Sequence, residues 1–355
     1  MLKIPKLIAS CFYRAFFKKK YDSTYLVEPV DWSIRQDGIL ISKSLSKSGL
    51  SISFDSYLYC HRSAIVHFGS SNLFNERSVG LVRRKTKIVA TFFHGNFGID
   101  ESMDRRIKLF LQRQDKIDVL VVSNTIMYRR FVDWGFSKSK IKLIPLGVDL
   151  QLFRHTKEPS FDFFMRHNIS RKKLIIGSFQ KDGEGWNEGN IPKTIKGPEL
   201  LVDSLRLIAK RFNIHVLLTG PSRGYVKNNL RKHNISYTHV YLDDYESIVD
   251  YYKVLDCYLI TSSEEGGPKA VLESLAMGIP LISTRVGMSV DVIKHKENGV
   301  LVENKAESVV QGVEFLISNQ RLRDQMIVNG LNTVKQYEIS NISKEYVKLY
   351  KGLLP

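Results

Sequence analysis

What most constrains this chain is a rhythm: short apolar, β-branched runs alternate with longer amphipathic stretches almost from end to end. In the first half the runs fall at 64–68, 87–93, 118–122 and 141–144. In the second they fall at 173–177, 214–218, 237–242, 256–260, 279–283 and 299–302. Between them lie helical patterns such as 198–212, 245–255 and 270–277. Strands with no polar face are strands covered on both sides, and helices between them make the sheet parallel. At 355 residues the chain is long for one domain, and no repeat of 20–50 residues is visible to make it a solenoid. The stretch 150–171, rich in charge and Phe, follows a Pro-Leu-Gly-Val-Asp turn and separates the two series. The expectation is an α/β chain of two doubly wound, Rossmann-like domains with ligand at the carboxyl ends of the strands. The domains are placed at 21–157 and 158–330, with a basic segment at 1–20 and a terminal helical segment at 331–355.

Charge adds a partner class. Lys and Arg exceed Asp and Glu by 53 to 36, a net +17. Residues 1–157 hold 27 basic and 13 acidic side chains, whereas 158–355 hold 26 and 23, so the excess belongs to the first half. Anionic partners follow: nucleic acid, anionic membrane or phosphorylated substrates. Residues 1–20 carry six basic side chains and no acidic one, among Leu2, Ile4, Leu7, Ile8, Phe12, Phe16 and Phe17. Two readings of them stand: an interfacial membrane anchor, or a first helix packed on its own domain with lysines outward. The stretch is interrupted by Arg14 and lacks a small-residue cleavage site, so it does not read as a secretion signal. No apolar run approaches the ~18–20 residues that span a bilayer. Cys11, Cys60 and Cys257 form no CxxC pair, which argues against a zinc module or disulfide scaffold and suits a reducing compartment. A cytoplasmic protein, peripheral on the membrane's cytoplasmic face, is the expected location.

The chemistry concentrates in Ile260-Thr-Ser-Ser-Glu-Glu-Gly-Gly-Pro-Lys-Ala-Val-Leu-Glu-Ser. A strand ends there, a Glu-Glu-Gly-Gly loop follows, and Pro268 is expected at the first position of a helix. Amides around Gly266, Gly267 and Lys269 then face outward from a helix start, where phosphate binds. Glu265 lies on that loop and Glu273 just inside the helix. A carboxylate beside a phosphate site suits vicinal hydroxyls such as those of ribose, so the pair points to a nucleotide sugar. A plain α/β loop with Glu265 as a solvated charge is the competing reading.

The spacing Glu265-x7-Glu273, followed by Gly278-Ile-Pro280 and Gly287, resembles the E-x7-E signature of family 4 retaining glycosyltransferases of the GT-B fold, the group 1 type. The likeness continues through Ile195-Lys196-Gly197, Tyr251-Tyr-Lys-Val-Leu-Asp256 and Asn298-Gly-Val-Leu-Val302, with Ser123-Asn124 and Ile144-Pro-Leu-Gly-Val-Asp149 in the first half. The resemblance implies two domains facing each other across a cleft, with the last helix crossing back to the first domain. It places Glu265 by the donor sugar, Glu273 on the ribose and Lys196 on the diphosphate. In such enzymes an Arg usually follows the Gly of the first second-domain strand; here Gly177 precedes Ser178, and Lys181 is the nearest cation able to replace it. Donor contacts are thus assigned to Ser178, Lys181, Lys196, Gly266, Gly267, Pro268, Lys269, Glu273 and, by the base, Leu242. His94, ending an apolar strand, matches a functional His near the donor sugar, so Glu265, His94 and Lys196 are the catalytic candidates. A hydrogen-bonded loop histidine is the plainer alternative.

No Asp-x-Asp occurs, which argues against metal-dependent GT-A enzymes, and fixed cations can stabilise the leaving group instead. No metal or resident cofactor is expected; the nucleotide-diphospho-sugar, UDP- or GDP-linked, is a substrate. The acceptor is expected to be membrane-borne, such as a lipid-linked saccharide or lipopolysaccharide core in cell-surface polysaccharide synthesis. Two features point elsewhere and are set aside. Gly183-Glu-Gly-Trp-Asn-Glu-Gly189 has GxGxxxG spacing with Pro192 close behind, unlike a dinucleotide loop. Arg83-Arg-Lys-Thr-Lys87 lacks interleaved aromatics, so nucleic acid is not an expected partner. The alternatives that remain are a nucleotide-sugar epimerase of the same architecture and a non-catalytic membrane- or nucleic-acid-binding protein.

Overall fold

Apolar runs short enough to be strands and flanked by amphipathic helices can hide both faces only as parallel sheets, and that is how the chain folds. A computed structural model describes residues 20–29, 33–58, 62–155 and 161–354. The basic segment 1–20, apart from its last residue, lies outside the described residues.

The first sheet comprises β1 (Tyr21–Leu26), β2 (Ile52–Asp55), β3 (Ser63–Phe68), β4 (Lys87–Thr91), β5 (Val119–Val122) and β6 (Ile141–Leu143), in the order β2-β1-β3-β4-β5-β6. The second comprises β7 (Leu174–Phe179), β8 (Ile214–Thr219), β9 (Tyr237–Val240), β10 (Cys257–Ile260), β11 (Leu281–Thr284) and β12 (Val300–Val302), in the order β12-β11-β10-β7-β8-β9. Every named strand pair is parallel. All ten apolar runs fall on strands. The remaining strands, β1 and β2, were not expected, because they bury polar side chains. Ser23 and Thr24 of β1 are fully buried, and Thr24 Oγ1 lies 2.5 Å from Ser63 Oγ on β3. A hydroxyl paired across strands needs no apolar run to be buried.

The chain divides into two compact units. One runs to Gly147 and adds Ile339–Pro355; the other is Val148–Glu338. The expected boundaries at 157/158 and 330/331 thus lie ten and eight residues from the observed joints. The core of the first unit is aromatic: Phe74 packs on Phe68 and Phe110, and Phe92 on Phe110 and Phe131, with edge or tilted contacts at 4.4–5.3 Å. The core of the second unit is aliphatic, with Leu201, Leu205 and Ile208 of the helix Pro198–Ala209 set against Val216, Leu218 and Leu259. The terminal helix Ile339–Leu353 belongs to the first unit. Its Tyr350 hydroxyl meets Nδ1 of the fully buried His67 at 2.7 Å, and Thr91 Oγ1 meets Nε2 at 2.8 Å. The pattern 245–255 yields only the short helix Ile248–Tyr252; a loop precedes it.

Candidate active site

In the second sheet the chain runs from β7 outward to β8 and β9, then returns to β10 on the other side of β7. Crossovers depart in opposite directions at such a reversal, and their splaying opens a crevice at the carboxyl ends of the two strands. Two predicted elements meet there. The segment after β10 is fastened to the Lys196-Gly197 turn: Ser263 and Glu264 amides donate to the Ile195 carbonyl at 2.9 and 3.2 Å, and Thr261 Oγ1 donates to the Gly197 carbonyl at 3.0 Å. Gly197 has φ +61°, and a Cβ there would collide with the Thr261 carbonyl. Glycine is required on both counts.

This fastening brings two of the three catalytic candidates together. Lys196 Nζ lies 2.5 Å from Glu265 Oε1, with side chains 21% and 11% exposed. The same oxygen accepts from Ser262 Oγ at 3.1 Å. Gln180 Nε2, following β7, donates to the Lys196 carbonyl at 3.1 Å. A charge-assisted pair this short in a mostly buried setting fixes the ammonium in place. Beside it the helix Lys269–Met277 begins. Pro268 stands one position before its first residue, with ψ 111°, rather than at that residue as expected. Gly266 accepts from the Met288 amide at 3.2 Å, and a Cβ on Gly287 would lie 2.5 Å from the Gly266 carbonyl oxygen, so Gly287 lets a second loop pack under the Gly266-Gly267 turn.

Glu273 is 4% exposed on that helix. Its Oε2 accepts from the buried Tyr252 hydroxyl at 2.8 Å, and its Oε1 accepts from Tyr245. Two phenols thus face the carboxylate that the sequence assigned to ribose hydroxyls. Burial, with the Glu273 charge adding to it, holds the Tyr252 hydroxyl well above the usual phenol range, so it stays a donor. Tyr245 sits in the loop before the helix Ile248–Tyr252, with Lys269 Nζ over its ring at 5.0 Å. Sequence reasoning missed both tyrosines as site residues. Tyr252 lies inside the Tyr251–Asp256 stretch that carries the resemblance, which gave it no separate role.

The remaining donor candidates are placed differently. Ser178 is fully buried: Arg223 Nη1 donates to its carbonyl at 2.7 Å, and Arg223 Nη2 lies 3.3 Å from its hydroxyl. Arg223, fully buried and unforeseen, also donates to the Gln180 and Thr219 carbonyls at 2.7 and 3.1 Å, and its Nε stands 3.0 Å from Asp182 Oδ1. Burial raises the Asp182 carboxyl and the Arg223 charge opposes this. Lys181 lies over the Trp186 ring at 4.2 Å, and burial followed by the nearby Lys193 lowers its ammonium. The glycines of 183–189, set aside as a dinucleotide loop, have a packing role: Gly183 and Gly189 each press backbone to backbone on Ser222. Between them in sequence, Trp186 joins Ser222, His239 and Tyr241 in lining a cavity of ≈ 530 Å³. Leu242 is half-buried in the loop after β9.

His94 belongs to the first unit, three residues past β4 and half-buried. Its loop is held by Arg130 Nη1, which donates to the Gly95 carbonyl at 2.9 Å. Asn124 Nδ2 lies 3.4 Å from the Phe93 carbonyl, while its Oδ1 caps the helix Thr125–Asp133 by accepting from Met127 at 2.8 Å. Among the described residues, no cluster of His, Cys, Asp and Glu is suited to hold a metal ion.

Residues 189–333 match the family described as Glycosyl transferases group 1. An uncharacterized glycosyltransferase of Haemophilus influenzae is 29% identical over 164 residues, covering 45% of each chain. The N,N'-diacetylbacillosaminyl-diphospho-undecaprenol alpha-1,3-N-acetylgalactosaminyltransferase of Campylobacter jejuni is 26% identical over 225 residues, 62% of this chain and 56% of that one. Among solved structures, Anabaena HepE in complex with UDP and glucose superposes with a TM-score of 0.76 at 11% identity, covering 94% of this chain and all of that one. The chain thus spans about half the length of the curated relatives it matches, while its fold is matched nearly throughout. Residues 189–333 of the second unit thus resemble the Glycosyl transferases group 1 family, in a chain of GT-B fold.

Proposed function

We propose that this chain is a glycosyltransferase that moves a sugar from a nucleotide-diphospho-sugar to a glycan acceptor carried on a lipid, with retention and without a metal. The observation that carries the proposal is the Lys196–Glu265 pair beside the start of the helix Lys269–Met277, one turn from the buried Glu273. In this reading Lys196 and the helix start take the diphosphate, Glu273 the ribose, and Glu265 the hydroxyls of the donor sugar. The barrier to transfer is charge: an oxocarbenium-like sugar forms while a nucleoside diphosphate leaves. Lys196 is already oriented by Glu265, so it stabilises the departing phosphate with little reorganisation. Lys181 adds a second cation to the same edge. Attack on the face from which the phosphate departs gives retention.

UDP bound to HepE supports a UDP donor. The undecaprenol-linked substrate in the name of the Campylobacter relative supports a lipid-linked acceptor, within cell-surface polysaccharide or lipopolysaccharide assembly. Residues 1–20 would bring the enzyme to an anionic membrane, for no helix among the described residues is long and apolar enough to cross one. A thermal-shift panel of UDP, GDP, ADP and their sugars tests the proposal. One nucleotide series is expected to stabilise the chain as RT ln(1 + [L]/Kd); no shift across the panel would overturn it.

A further inference from the structure

The strands of the first sheet all run in one direction, so the chain enters all six at the same edge. The five residues before each strand hold eleven Lys or Arg in all and two acids. The five residues after each strand hold no Lys or Arg and two acids. Parallel folding does not demand this, for in the second sheet the Lys and Arg counts are eight before and four after. The charge excess of the first half is thus laid along one edge of one sheet.

One exposed cation precedes each strand: Lys20, Lys47, Arg62, Lys85, Lys116 and Lys138. Neighbouring strands lie about 4.8 Å apart, so a row across six of them is about 24 Å long. The two acids at this edge are each met by a lysine. Lys116 Nζ lies 3.6 Å from Asp115, and Lys87 Nζ, on β4 itself, lies 3.0 Å from Asp118. The loop into β4 is the densest part. Arg83, Arg84 and Lys85 are all exposed, and Leu81 in the same loop is 52% exposed. The exposed aromatics of this unit, Tyr57 and Phe97, follow β2 and β4 and so belong to the opposite edge.

The chemistry of the row selects its partner. Single-stranded nucleic acid stacks its bases on aromatic side chains, and this edge exposes none among the described residues. A cationic row with an exposed leucine matches anionic lipid headgroups over an apolar interior. The sequence supplies a second pointer: the basic, apolar segment 1–20 joins the sheet at this same edge, through Lys20. One weak signal gives only marginal attachment to a bilayer, and stable attachment takes two. We infer that the amino edge of the first sheet docks flat on an anionic bilayer, with Leu81 and the cations before β4 at the contact. This extends to the folded unit the membrane role proposed for residues 1–20, on which it rests. Strands of five or six residues are about 17–20 Å long, so docking holds the opposite edge about that far above the lipid, a height that suits a glycan carried on it.

Sedimentation of the full chain with vesicles of mixed phosphatidylglycerol and phosphatidylcholine, at about 0.15 M salt, tests it. The wild type is expected to bind these vesicles and not phosphatidylcholine alone. Arg83→Gln, Arg84→Gln and Lys85→Gln combined should weaken partition at least about tenfold, since each cation near an anionic surface contributes roughly a factor of five. Arg105→Gln, Lys108→Gln and Arg129→Gln combined remove the same charge from exposed helix positions of the same unit and should retain binding. An unchanged melting temperature shows that each variant is folded. Should the first variant fail to fold, Arg62→Gln with Lys138→Gln, elsewhere on the row, decides in its place. No partition by the wild type, wild-type partition in the edge variant, or equal loss in the helix variant would overturn the inference. Tighter binding to duplex DNA than to the vesicles would overturn it as well. The edge variant keeps residues 1–20, so its result stands apart from deletion of that segment, which tests the anchor alone.

Discussion

At the scale of single residues, the site depends on how carboxylates are held. Glu273 is buried with one oxygen on Tyr252 and the other on Tyr245. Removing the Tyr252 hydroxyl strands a buried acceptor, which costs about 1–3 kcal/mol. Tyr252→Phe is therefore expected to destabilise the second unit by that amount in urea denaturation and to weaken nucleotide binding together with it. Tyr245→Phe, in an exposed loop, should cost little stability. These partners could not be read from the sequence, because E-x7-E spacing specifies the two carboxylates but not the groups that face them. The same holds for Arg223, whose role depends on β7 and the loop after β8 meeting in space.

Elements were more legible than side chains, and the reason is physical. A strand covered on both faces must be apolar throughout, so β5 and β8 stand out in the sequence. β1 escapes because Ser23 and Thr24 occupy two of its four buried positions. The turn at Gly197 shows the converse: Lys-Gly before a helix was legible, but its tight approach to Thr261 was not. Gly197→Ala must strain a φ of +61° and displace the Thr261 carbonyl. It is expected to lower the melting temperature and to remove nucleoside-diphosphate binding, because the turn carries Lys196. Equal UDP affinity in a folded Gly197→Ala protein would refute that coupling.

On the scale of the whole molecule, pH and charge should act on different parts. In the first unit, burial lowers His67 from 6.5 to about 3. The unfolded chain then binds the proton that the native state refuses, so stability falls as pH drops from 6.5 toward 3 and is full above 6.5. Between pH 7 and 5 this one group should contribute a loss of about 2 kcal/mol in the first unit. Denaturation of wild type and His67→Gln at both pH values checks it, the variant showing the smaller loss. The net charge of +17 lies mostly before residue 158. Deleting residues 1–20 should abolish sedimentation with phosphatidylglycerol vesicles while nucleotide binding persists; a deleted protein that still sediments would rule out the anchor.

The central claim is that the reversal between β7 and β10 is a diphosphate site built on Lys196. Calorimetric titration of wild type and Lys196→Ala with the best-binding nucleoside diphosphate, and with the same nucleoside lacking phosphates, tests it most directly. The expected result is a loss of at least about tenfold for the diphosphate in Lys196→Ala, with the nucleoside unchanged. Equal affinity of both proteins for the diphosphate would contradict the assignment.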